Sequence, residues 1–246
     1  MKKTLLAVVV ALTPFTASAD TIYGIYGELG IGVSELSGKG SWNSDANQFA
    51  IEEDDTQNIF GSVRVEHPVP LIPNLRIALD SYDFDNNATG ASFVYDGTNY
   101  GSNFQTSLEA QELTGTLYYE ILDNVVSFDV GLSVKNIETT LGFAGNSMKA
   151  KSEELDLWLP MGYASAEVFV PVVDVVVGAT VEAIAFDDHE VTMVDAFIGY
   201  ELVDLLAVDA TIKLGYKSRD VVIDDLESFN LDLKNESVYG AIQVHF

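Results

Sequence analysis

Two short groups of side chains are of the types that activate water. Asp83-x-Asp85 sets two carboxylates on one face of an extended segment, and Asp187-x-His189 sets an acid two residues from an imidazole. A carboxylate that orients a histidine makes it a general base, and an acid pair across a cleft helps to position the attacking water. The chemistry would be attack of an activated water on a bound substrate. Other chemistries lack their residues. His67, His189 and His245 have no spacing that makes a metal set. Asp83-x-Asp85-x-Asn87 begins like a calcium loop, but Ala88 stands where that loop turns on glycine and Val94 where it needs a bidentate glutamate. There is no G-x-S-x-G and no glycine-rich phosphate loop. No catalytic residue, metal or cofactor is therefore assigned.

A larger set of charged residues sits on segments that alternate with period two, the signature of strands with one apolar face. In Ile22–Ser34, Tyr23, Ile25, Leu29, Ile31 and Val33 oppose Gly24, Tyr26, Glu28, Gly30 and Gly32. The pattern returns in Ile59–His67, Leu75–Asp80, the strand ending at Ile121, Val126–Val134, Leu155–Phe169, Val173–Val181, Val194–Tyr200, Val208–Tyr216 and Glu236–Phe246. That makes ten strands, with eight and twelve as open alternatives. The polar faces carry Glu28, Arg64, Glu66, Arg76, Asp80, Glu120, Asp129, Lys135, Glu167, Asp174, Glu182, Glu201, Asp209 and Lys213. In a closed barrel these would meet in the lumen as a hydrogen-bonded ion-pair network. Glu35–Thr56, Asp85–Gln105, Asn136–Glu154 and Ser218–Asn235 are polar and read as long loops, alternating with short turns such as Pro68–Pro73. The apolar phase changes between Leu159 and Ala164, which predicts a bulge that tolerates Pro160.

Glu66, Glu120, Glu167 and Glu201 each stand just before a short turn, and Tyr119 and Tyr200 precede two of them on the opposite face. Aromatic residues at one depth suit a membrane–water girdle, with Phe246 at the same level. A secreted β-sandwich would also alternate. The terminal Phe, the tyrosines, the short and long connections and the acidic inward face favour a transmembrane barrel.

The ends and the charge agree with export. Lys2-Lys3, the apolar run Leu5–Leu12 and Ala17-Ser18-Ala19 read as a signal peptide cleaved after Ala19, leaving 20–246 as one barrel domain. The 12 Lys and Arg against 38 Asp and Glu argue against a nucleic-acid partner. Cysteine is absent, so stability comes from something other than disulfides.

The closing strand, Glu236–Phe246, resembles the C-terminal signature of Gram-negative outer-membrane β-barrels. The resemblance implies recognition by the barrel-assembly machinery, periplasmic chaperones in transit, and lipid and lipopolysaccharide as surroundings. With the Glu-His-Pro-Val-Pro-Leu-Ile-Pro-Asn turn at Glu66–Asn74, it is also similar to a small barrel family that co-occurs with GlyGly-CTERM sorting systems, which implies no catalytic residues. The Asp83/Asp85 and Asp187/His189 groups resemble the water-activating arrangement of the omptin outer-membrane proteases. The leading expectation is a monomeric, non-enzymatic barrel with a structural or surface role, its acidic outer loops binding divalent cations. A porin-like narrow channel for small solutes or cations is the alternative, and a rim protease a remote one.

Overall fold

A computed structural model describes residues 24–44, 47–69, 71–123, 125–145, 151–186, 189–205, 208–226 and 228–246. Residues 1–19, the expected signal peptide, lie outside them. Among the described residues, ten strands follow one another up and down: β1 (Gly24–Trp42), β2 (Gln48–Glu66), β3 (Asn74–Tyr95), β4 (Thr98–Asp123), β5 (Val126–Ala144), β6 (Lys151–Val170), β7 (Val175–Phe186), β8 (His189–Leu205), β9 (Val208–Leu226) and β10 (Phe229–His245). Each is antiparallel to its neighbours in sequence, and β1 pairs with β10 to close the ring. The seam runs unbroken from Tyr26↔His245 to Trp42↔Phe229. Its last rung is made by Phe246, whose N–H donates to the Ile25 carbonyl at 2.9 Å and whose carbonyl accepts from the Ile25 N–H at 3.2 Å.

The outward faces carry an apolar belt. Leu29, Ile31 and Val33 on β1, Leu75, Ile77 and Leu79 on β3, and Val238 and Ile242 on β10 are all exposed, and every other strand adds to the band. A belt of this extent on a closed barrel faces lipid. Toward one end it stops abruptly along most strands: Val33 gives way to Glu35, Leu79 to Ser81 and Asp83, Trp158 to Asp156 and Glu154, Val238 to Glu236.

The strands continue past that boundary. They reach 26 residues in β4, where roughly 9–11 cross a bilayer. The four stretches read as long loops are therefore mostly strand. Asp85–Gln105 is the clearest case: β3 runs to Tyr95, β4 starts at Thr98, and Asp96-Gly97, both at positive φ, make a two-residue hairpin turn. Outside the membrane the outward residues are as polar as those of a loop, while Phe84, Ala88, Phe93 and Tyr95 are buried inside.

The expected bulge at Pro160 is absent. The β5–β6 register is continuous from Val126↔Val168 to Phe143↔Lys151, and Leu155, Leu157, Leu159, Met161 and Tyr163 stay on the inner face. The phase only looked broken because the lumen is apolar at that height. The β6–β7 ladder ends at Gly162↔Ala183, so Pro160 lies beyond it and its missing N–H breaks no bond there.

Inward glycines make room for rings. A Cβ on Gly30 would overlap the Phe60 ring, and one on Gly215 the Tyr239 ring. Gly115, on the outer face, has open space around it. Gly215→Val should lower the unfolding free energy by about 1–3 kcal/mol through overpacking, while Gly115→Val should change it little. The measurement is the temperature at which the compact form is lost on unboiled gels.

Candidate functional site

The lumen is filled in three layers, built because every second residue of each strand turns inward. At the mouth near the β2–β3, β4–β5, β6–β7 and β8–β9 turns, the Arg64 guanidinium lies 3.1 Å from Glu66 and 3.9 Å from Glu167. It also stacks 4.0 Å over the Tyr26 ring, which in turn lies flat on His245. Tyr118 donates to Glu66 at 2.8 Å, Asn74 donates to Glu120 at 3.1 Å, and Asp209 pairs with His245 at 3.0 Å. Asp129 is buried here, and its Oδ1 has no hydrogen-bond partner. Glu201 shares this inward face of β8.

The middle layer is a linked set of ion pairs. Lys213 meets Glu28 at 2.7 Å. Asp80 accepts from Arg219 at 2.7 Å and Lys217 at 3.2 Å. Lys135 joins Glu112 at 3.2 Å and Glu182 at 3.6 Å, while Arg219 reaches Glu112 at 3.6 Å. A cavity of about 70 Å³ lies among these groups, lined also by Arg76 and Asp195. Its four cations, Arg76, Lys135, Lys217 and Arg219, face four acids, Asp80, Glu112, Glu182 and Asp195. Lys217 packs 3.3 Å over the Phe60 ring, and Tyr239 donates to Asp195 at 2.7 Å.

The outer layer is apolar. Phe49, Phe93, Tyr95, Tyr100, Phe104, Phe143 and Phe229 form one buried cluster with Leu141, Leu231 and Ile223. The Phe49, Phe93 and Phe143 centroids lie 4.8–5.6 Å apart. This is a packed hydrophobic core set inside the outer end of a barrel.

The structure thus brings the sequence-predicted lumen residues into two layers. Asp174 is the exception: it is exposed in the β6–β7 turn, where its carbonyl accepts the Glu201 N–H. Tyr119 and Tyr200 point outward, and the Tyr119 hydroxyl donates to the Leu71 carbonyl at 3.0 Å, which keeps its polar end at the turns. Sequence reasoning missed Glu112, Asp195, Lys217 and Arg219, although the alternation simply continues from Lys213 through Lys217 to Arg219. It also missed the aromatic layer, hidden in stretches read as loops.

Of the two expected hydrolytic groups, one lies among the described residues. Asp83 and Asp85 are exposed on the outer face of β3, because Tyr82 and Phe84 take the inner positions. Asp187 and the His189 side chain lie outside the described residues. Among the described residues no three acids or histidines converge as a metal site.

No protein-family model and no curated protein matches the sequence. Solved structures do match. The outer membrane protease OmpT from Escherichia coli superposes with a TM-score of 0.61 at 10% identity, covering 94% of this chain and 99% of that one. The fold is that of an outer-membrane β-barrel. The translocator domain of the autotransporter NalP from Neisseria meningitidis aligns at a TM-score of 0.44 and 12% identity, over 88% of each chain. The apolar belt of this barrel suits the outer membrane of a Gram-negative cell, and the polar strand extensions then stand outside it.

The middle layer depends on complete pairing. Arg219→Ala would leave Asp80 and Glu112 with one cationic partner each, and should cost about 3–5 kcal/mol. Lys39→Ala, which removes only an exposed pair with Asp232, should cost less than about 1 kcal/mol. Urea unfolding in lipid vesicles separates the two.

Proposed function

We propose that the protein is a closed, non-enzymatic barrel that uses the outer membrane as a mount for a rigid surface, and acts by what that surface contacts. The observation that carries this reading is the filled lumen. An aromatic core blocks the outer end, and a balanced charge network occupies the middle. A water-filled passage for cations would need a lining of unpaired acids, whereas the described middle-layer acids are matched by cations. The part left to interact is the strand extension above the belt.

That extension is acidic. Glu35, Glu109, Glu138, Glu154, Asp156, Glu190 and Asp220 point outward on it. Among the described residues its outward bases are Lys39 and Lys234, held 3.0 Å from Asp232 and 3.0 Å from Glu236 respectively. Such a collar next to anionic lipopolysaccharide favours loosely held divalent cations between the two, with carboxylate oxygens as hard ligands. The resemblance of Glu66–Asn74 and the closing strand to the barrel family that co-occurs with GlyGly-CTERM sorting systems fits the same reading, since it brings no catalytic residues. A protease reading has the barrel likeness to OmpT, but Asp83 and Asp85 face away from the lumen.

Purified protein inserted into planar bilayers should give no single-channel conductance above the bare bilayer. Stepwise ion currents from the wild-type protein would overturn the proposal.

A further inference from the structure

The barrel wall is uneven at its outer end, and the step leaves a strand edge open. β6 stays paired with β5 up to Phe143↔Lys151, but its ladder with β7 stops at Gly162↔Ala183. β7 ends at Phe186, paired with His189 of β8, and Ile184 still packs in one cluster with Leu159 and Met161, so among the described residues 151–158 of β6 have a strand on one side only. The direction of the backbone along this edge follows from one bond. Phe169 donates its N–H to Val125 across the β5–β6 pair, and that register is unbroken. Odd-numbered residues of β6 therefore bond to β5, and Ser152, Glu154, Asp156 and Trp158 turn their N–H and C=O groups to the open side. Pro160 belongs to the same set, which is why a proline fits there.

The geometry points to this edge as a docking site for an extended polypeptide that adds to β6 as a further strand, with basic residues on its outward face and apolar residues on its inward face. This rests on the surface-interaction reading above. Strand addition supplies affinity through main-chain hydrogen bonds and specificity through alternate side chains. The outward side chains around the step are Glu154, Asp156, Glu190 and Asp220, and among the described residues no base faces outward on β6, β8 or β9. The inner face of the edge offers Leu157 and Leu159, both half-buried. A guest with the opposite charge and the same alternation would continue both faces of the wall, and would pair an edge that otherwise invites uncontrolled association.

The test uses the full folded protein in detergent micelles and a ten-residue peptide of alternating Lys and Val, read by the fluorescence of Trp158. Saturable binding is expected. Methylating the peptide's backbone nitrogens on alternate residues should weaken it about tenfold when the edge-facing set is blocked, and less when the other set is. Glu154→Pro removes one edge N–H and leaves the β5 ladder intact, so it should fold and bind about tenfold more weakly. Glu154→Gln should lose only about threefold, and less at high salt. Absence of saturable binding would overturn the proposal. So would equal affinity for both methylated peptides, equal affinity for a Glu–Val peptide, or binding of a deacylated lipopolysaccharide core in place of the peptide. Should Glu154→Pro fail to fold, the methylated pair still decides. Ion conductance is read separately: currents would sink the closed-barrel reading, while a silent bilayer with no peptide binding sinks strand addition alone.

Discussion

In a hydrocarbon layer no backbone N–H or C=O can borrow a partner from water, and each one left unpaired costs several kcal/mol. Everything in this molecule follows from that constraint. A sheet that enters lipid must close, so β1 has to meet β10. Phe246 supplies the final rung with its backbone and an apolar ring with its side chain. Closure then decides the two faces. Apolar residues go out to lipid, and the lumen receives what remains.

What remains is charged at the membrane level and aromatic above it, and the two halves are stabilised differently. Within the belt the lumen ions are buried and satisfy one another: Asp80 with Arg219 and Lys217, Glu112 with Lys135, Glu28 with Lys213. Such pairs offset their own desolvation more than they add net stability. Above the belt water surrounds the barrel, and the ordinary hydrophobic effect returns. There the strands turn inside out, with polar residues outward and Phe49, Phe93, Phe104 and Phe143 inward. One sheet therefore has a membrane protein's polarity below and a soluble protein's polarity above. The inversion sets a packed aromatic core inside the outer end.

Much of this was legible in the sequence. Ten period-two segments, the inward Glu28, Arg64, Asp80, Asp129 and Lys213, and the outward Tyr119 and Tyr200 can be read by alternation alone. The strand extensions were not, because a strand leaving the membrane loses its apolar outward face, which is the signal that distinguishes it from a loop. Asp85–Gln105 shows the confusion: its asparagines and glycines read as loop chemistry, and only Asp96-Gly97 is a turn. The apolar run around Leu157 and Leu159 misled in the opposite sense, since leucines inside a barrel resemble leucines facing lipid with the phase shifted.

The sequence by itself pointed to ten strands, to a membrane barrel and to the side of the wall on which most charges lie, because those depend on a period of two and on which residue types share a face. The tertiary structure alone decided which charges pair, how high the strands reach, that an aromatic core lies inside the outer end, and that β6 outruns β7. Those depend on register and on strand ends, quantities set by contacts between segments far apart in the chain, such as Asp80 with Arg219, and local pattern carries no record of them.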